Sequence, residues 1–181
     1  LYVYGPDGDQ KLVYSAPEPI DSSPAVGADG AIYFGAFDGK LYALESSGVL
    51  RWSFETGGAI NAAPILTATG SVLFGSRDGT LYSLDLEGGE EWRFTTEGPI
   101  EATVAVTTDG TIYVASTDNR LYAVDAGTGQ EKWRFETEGE LVAAPLVLED
   151  GTVVVGSKFG LLANLFAISP DGTEKWKKRL G

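Results

Sequence analysis

The chain has 181 residues, 43% of them hydrophobic, and a formal net charge of -13 from 26 acidic and 13 basic side chains, a composition that suits one globular domain and makes nucleic acid a poor partner, since phosphate backbones are held by clustered Lys and Arg. It contains neither cysteine nor histidine, which removes disulfides, thiolate sites, the commonest metal ligand and the commonest general base, and so weighs against an ordinary metal or triad enzyme. No apolar run approaches the length of a membrane span, and the acidic surface reads as solubilising, or as the mark of a halophilic source.

In chain order, a partial unit at 1–19 is followed by four full units at 20–59, 60–99, 100–140 and 141–181. Leu41, Leu81, Leu121 and Leu165 each open a leucine-aromatic run, and Trp52, Trp92, Trp133 and Trp176 follow at separations of 40, 41 and 43 residues. A four-strand repeat of that length is the period of a propeller blade. The predicted fold class is therefore all-β, a β-propeller of four-stranded antiparallel blades forming one domain.

Each full unit divides into strands a to d. Strand a is predicted at 22–26, 62–66, 102–106 and 143–147, where small residues and proline fit an innermost edge strand. A two-residue hairpin should follow at Asp29-Gly30, Thr69-Gly70, Asp109-Gly110 and Asp150-Gly151, with glycine supplying a positive φ. Strand b (Ile32-Tyr33-Phe34-Gly35 and its copies) is apolar on both faces, as for a sheet covered by two neighbours. Strand c is the leucine-aromatic run. Strand d alternates, with Leu50, Trp52 and Phe54 one way and Arg51 and Ser53 the other, so it is half exposed at the rim. The tryptophans read as anchors between blades, each worth about 2 to 3 kcal/mol if fully buried.

Leu1 stands 19 residues before Ile20, as Leu41 stands before Ile60. The chain is thus expected to begin on strand c and to end just after strand d. Three expectations follow, in this order: part of a larger ring of about eight blades, a homodimer in which two partial rings close each other, and an independent small ring.

The run Asp-Gly-Thr-Ile-Tyr-Val-Ala-Ser at 109–116 with Leu-Tyr-Ala-Val-Asp at 121–125 resembles the PQQ-like β-propeller repeat of the quinoprotein alcohol dehydrogenase-like superfamily. Ala123, Asp125, Thr128, Gly129 and Trp133 match its tryptophan-docking motif, Ala-x-Asp-x-x-Thr-Gly-x-x-x-Trp. In the other full units Glu45, Asp85 and Ser169 take the Asp position, and Leu12 replaces the tryptophan of the partial unit. The resemblance implies that Asp125, Thr128 and Gly129 hold the c to d turn while Trp52, Trp92, Trp133 and Trp176 dock on adjacent blades. Dehydrogenases of that superfamily hold the quinone and a calcium ion, usually beside a disulfide, and a fragment of one is the alternative function. With no cysteine here, the likeness is closer to non-catalytic members such as the propeller lipoprotein of outer-membrane assembly. That implies a rigid protein-binding scaffold, extracytoplasmic in location, without PQQ, whose signal sequence is not in this chain.

In such a meander the b to c turns and d to a connections share one face. Partner-binding candidates there are Phe37, Asp38, Arg77, Asp78, Asp118 and Arg120, joined by Asn119 and by Glu55, Glu97, Glu138 and Glu140 of the connections. Asp21, Asn61 and Glu101, one at the start of each strand a, should ring the channel mouth; they read as solvated loop ends or as an oxygen-rich calcium site, with Val142 as the fourth copy. The last unit has three extra residues between Gly156 and Leu165. They predict a lengthened apolar b to c turn at 158–164, adding Phe159, Leu161 and Leu162 as contact candidates, or as a loop folded over its own blade.

Overall fold

The computed structural model describes residues 1–159 and 162–180. Its described residues form eighteen strands and no helix. β1 (Tyr2–Tyr4) and β2 (Gln10–Val13) make a two-stranded half-blade. Blade I comprises β3 (Ala25–Val26), β4 (Ile32–Gly35), β5 (Lys40–Leu44) and β6 (Leu50–Glu55). Blade II comprises β7 (Ile65–Leu66), β8 (Val72–Gly75), β9 (Thr80–Leu84) and β10 (Glu90–Thr95), and blade III β11 (Ala105–Val106), β12 (Thr111–Ser116), β13 (Arg120–Asp125) and β14 (Glu131–Glu136). Blade IV comprises β15 (Leu146–Val147), β16 (Val153–Phe159), β17 (Leu162–Ile168) and β18 (Glu174–Leu180). Every sheet is an antiparallel meander in sequence order, so the all-β propeller class is what the chain adopts.

The core lies between blades. One apolar cluster joins the half-blade (Leu1, Val3, Tyr14) to Phe34 and Tyr42 of blade I. A second joins Tyr33, Leu41 and Trp52 to Phe74 and Tyr82 of blade II, a third joins Leu81 and Phe94 to Tyr122 and Val124, and a fourth joins Tyr113 and Trp133 to Val153 and Phe166. Strands b and c are buried on both faces because each is covered by the preceding and the following blade. Ile60, Ile100 and Leu141, fully buried, begin each successive blade and plug the junction.

Three sequence expectations are corrected. Strand a is a two-residue ladder in every blade: proline at 24, 64 and 145 has no N–H to offer strand b, and in blade III, where Val104 has that position, the ladder is equally short. In blade I the Ser22 hydroxyl takes over that edge, accepting from Gly35 N at 2.7 Å and donating to Gly35 O at 3.1 Å. The a to b turns are longer than two residues: Gly27 N bonds Ala31 O at 2.8 Å and Gly30 N bonds Gly27 O at 2.9 Å, with Gly30 at φ 81°. This is the three-residue hairpin closed by a left-handed glycine. In blade IV the extra residues lengthen strands rather than a loop: β16 and β17 stay in register out to Phe159 opposite Leu162, and β18 pairs alongside to Leu180. Of the contact candidates placed there, Leu161 lies outside the described residues, as do the side chains of Phe159 and Leu162.

Candidate functional site

The face formed by the b to c turns and d to a connections is built around a recurring carboxylate. Asp38, Asp78 and Asp118 accept the turn's own N–H from Lys40, Thr80 and Arg120 at 3.1, 2.8 and 2.9 Å. The other oxygen accepts from Tyr42, Tyr82 and Tyr122 of strand c at 2.6, 2.8 and 2.7 Å. In two of the three it also reaches the preceding connection, where Gly57 N donates to Asp78 at 2.8 Å and Glu97 N to Asp118 at 2.9 Å. Ahead of Asp38 the sequence equivalent of Gly57 and Glu97 is Pro17, which has no N–H. Burial first, and the carboxylate beside the hydroxyl second, push these phenols upward, Tyr122 to about 12 and Tyr42 further still. The Asp–Tyr pairing was missed at the sequence level, although a signal existed: the two residues stand four apart in three copies, and Phe159 and Phe166 replace both in the fourth.

Hydroxyls reinforce the same strap. Thr96 Oγ1 donates to Gly79 O at 2.9 Å and Gly98 O at 2.7 Å, and Thr56 and Thr137 make the equivalent bonds. Ion pairs cross the junctions on this face: Arg77 Nε meets Glu101 at 3.1 Å, and Arg120 Nη1 meets Glu97 at 2.6 Å. Four of the predicted contact residues, Asp78, Asp118, Arg77 and Arg120, therefore have bonds to a neighbouring blade.

Phe37 differs. It is 42% exposed and has the position of Arg77, Thr117 and Lys158 in the other blades. The backbone at this position is fixed in all four: the N–H of Phe37, Arg77, Thr117 and Lys158 donates to Pro19, Ala59, Pro99 and Glu140 O at 2.9 to 3.0 Å. A varied side chain thus projects from an invariant mount.

Of the three residues expected to ring a channel mouth, Asp21 is exposed, Asn61 and Glu101 are half-buried, and Glu101 is engaged by Arg77. Asn61 Oδ1 is buried without a hydrogen-bond partner. Among the described residues no three His, Cys, Asp or Glu side chains gather as a metal site.

On the opposite face three of the four indole N–H groups bond the next blade's c to d turn: Trp52 to Leu86 O at 2.8 Å, Trp92 to Ala126 O at 3.1 Å and Trp133 to Pro170 O at 2.8 Å. All three indoles are half-buried, so each keeps one edge at the rim, short of the full burial assumed from sequence. Asp125 Oδ1 braces the turn that receives Trp92, accepting from Thr128 N at 3.0 Å, Thr128 Oγ1 at 2.9 Å and Gly127 N at 3.1 Å. Gly129, at φ 69°, lies under the Trp92 ring. Trp176 is 45% exposed.

The family model described as outer membrane protein assembly factor BamB matches residues 3–91 and 77–181. No curated protein matches the chain. Among solved structures, BamB from Moraxella catarrhalis is 21% identical with a TM-score of 0.60, over 94% of this chain and 65% of that one. Quinohemoprotein alcohol dehydrogenase from Comamonas testosteroni is 21% identical with a TM-score of 0.76, over 89% and 35%. Hydrazine synthase from Kuenenia stuttgartiensis is 12% identical with a TM-score of 0.76, over 93% and 51%. The chain spans about a third to two thirds of these proteins, and at such identities they share a fold with it.

Proposed function

The chain belongs to the BamB family of PQQ-like repeat propellers, and from that premise we propose that it is a non-catalytic scaffold that holds a protein partner on its b to c face. The carrying observation is the contrast on that face between recurring carboxylates bonded across blade junctions, Asp78 and Asp118, and a position whose side chain changes from blade to blade, Phe37, Arg77, Thr117 and Lys158, on a backbone bonded in all four. Rigid mounts lower the ordering cost of an interface, and an exposed aromatic such as Phe37 suits a protein contact. The reading places the protein outside the cytoplasm, as the family description suggests, in the assembly of an outer membrane. It includes no quinone. Calcium at Asp21, Asn61 and Glu101 is its one candidate ion, and pairing of two copies its second partner.

The test uses the chain immobilised in cell-envelope extract. Phe37→Asp and Lys158→Glu should each leave the melting temperature unchanged and abolish capture of the protein retained by the parent. Equal capture by parent and variants overturns the reading. So does dye-linked alcohol oxidation by the chain with added PQQ and calcium.

A further inference from the structure

On the face of the a to b and c to d turns, blades III and IV enclose a cavity of about 400 Å³. Tyr113 of strand b, 3% exposed, is the buried residue of its lining. Val106, Val147, Leu148 and Pro170 give it apolar walls, and Asp109 of the a to b turn is an exposed carboxylate beside them. Blade III, which supplies Tyr113 and Asp109, has a complete blade on either side.

Both of those polar groups are unused. Tyr42, Tyr82 and Tyr122 each give their hydroxyl to an aspartate, whereas the Tyr113 hydroxyl makes no hydrogen bond among the described residues. Asp109 takes its two bonds, from the Thr107 hydroxyl and from Thr111 N, on Oδ1. Its Oδ2 has no partner among the described residues, although two sister turns are neutralised from strand d: Arg51 Nη2 meets Asp29 Oδ2 at 2.9 Å, and Lys175 Nζ meets Asp150 Oδ2 at 3.0 Å. Lys132 has the place of Arg51 and Lys175, but it goes to Thr111 Oγ1 at 2.9 Å and Asp125 Oδ2 at 3.6 Å.

The junction of blades I and II shows the closed form of the same arrangement. Tyr33 has the place of Tyr113, and its hydroxyl is wholly buried. Leu86 packs into the cluster around it, where blade IV offers Pro170. Between blades II and III, Leu73 replaces the tyrosine. Burial, and after it the charge of Asp109, push the Tyr113 phenol upward, so the hydroxyl keeps its proton; the Thr107 hydroxyl first of all holds the Asp109 carboxyl below its ordinary value, so the carboxylate stays charged.

We propose that this cavity binds a primary ammonium group carried on an aliphatic stem, the ammonium donating to Asp109 Oδ2 and to the Tyr113 oxygen while the stem lies against Val106, Val147 and Pro170. The apolar walls favour an organic cation over a bare metal ion, and the described residues gather no three acidic side chains here. Glu149 adds a second carboxylate to the lining, and the net charge of -13 draws cations to the chain. A free alkylamine and a lysine side chain share this chemistry. The cavity lies on the face opposite Phe37, so the site goes beyond the scaffold reading and neither depends on the other.

Titration of the 181-residue chain with pentylamine, followed by backbone amide NMR, tests it. Shifts should centre on residues 107–113 and saturate, with a Kd of about 1 mM for so small a ligand. Pentanol, which keeps the stem without the charge, should bind about tenfold more weakly or worse. Asp109→Asn, which retains an acceptor for Thr111 N, should weaken pentylamine about tenfold or more. Tyr113→Phe, which keeps the ring against Trp133 at 5.7 Å, should weaken it about threefold to tenfold. Asp29→Asn should leave it unchanged. Nα-acetyl-lysine methylamide separates the sources: tighter binding than pentylamine supports a lysine side chain, weaker binding a free amine. The absence of a saturable shift overturns the proposal, as do equal binding of pentanol and binding that survives both Asp109→Asn and Tyr113→Phe.

Discussion

Gly129 and Gly110 allow the energy of a tryptophan seat to be separated from the strain of its turn. Both are left-handed, at φ 69° and 78°, and both belong to blade III. A Cβ at Gly110 meets nothing within 4 Å, whereas at Gly129 it stands 2.6 Å from Trp92 Cε3 and 2.8 Å from Cδ2. Gly110→Ala should therefore cost only the conformational penalty, about 1 kcal/mol. Gly129→Ala carries that penalty and also displaces the indole, with an overpacking cost of about 1 to 3 kcal/mol. It further strains the bond from Trp92 Nε1 to Ala126 O, a term of about 1 kcal/mol. The excess of Gly129→Ala over Gly110→Ala should be about 2 kcal/mol or more, which for a chain of this size means a melting temperature lower by about 4 °C or more. Thermal unfolding followed by tryptophan fluorescence measures both variants under one condition. Equal losses would refute the reasoning, because the Trp92 seat would then add nothing to what the turn itself requires.

Asp78→Ala should cost about 1 kcal/mol more in urea unfolding than Asp38→Ala, since Asp78 also accepts from Gly57 N and the sequence equivalent of Gly57 ahead of Asp38 is Pro17; equal costs would remove the strap to the preceding connection. Tyr122 gives a pH signature. Its folded value of about 12 lies above the ordinary 10.0, so its contribution is complete below about pH 10 and is lost as pH rises toward 12. Tyr122→Phe should flatten that alkaline fall in melting temperature, and an unchanged profile would count against the Asp118 bond. Calcium calorimetry should give heat that disappears in Glu101→Gln if the channel mouth binds the ion, and no heat from the parent removes calcium from the reading.

The blade period was legible because it is carried by local features: an Asp-Gly or equivalent turn, a leucine-aromatic strand, a tryptophan at fixed phase. Each element needs only its own few residues to be recognised. The a strands were read too long because composition reveals apolar character without revealing which N–H groups find partners; the ladder stops at two residues after Pro64 and after Val104 alike. The three extra residues of blade IV looked like a loop because the longer spacing from Gly156 to Leu165 was assigned to the b to c turn; paired through Phe159 and Leu162, they continue two strands instead. Asp78 and Asp118 looked like surface charges because their partners, Gly57 N and Glu97 N, come from the connection 21 residues earlier. Nothing in local sequence shows a bond that closes only when two blades meet.

That dependence also explains how one repeat can be both a fixed frame and a variable surface. Groups that recur, Asp78 and Asp118, Ile60 and Ile100, act across junctions, so a change in one copy is felt by two blades. At position 37 and its equivalents the bond shared by all four blades is that of the backbone N–H, while the side chain differs: Arg77 adds an ion pair to Glu101 and Thr117 a hydroxyl bond to Pro99 O. A phenylalanine, arginine, threonine or lysine can stand there without altering the hydrogen bond that mounts it. In the proposed scaffold, a change of side chain at this position leaves the backbone bond in place, whereas a new surface built from Asp78 or Asp118 would loosen the blades that carry it.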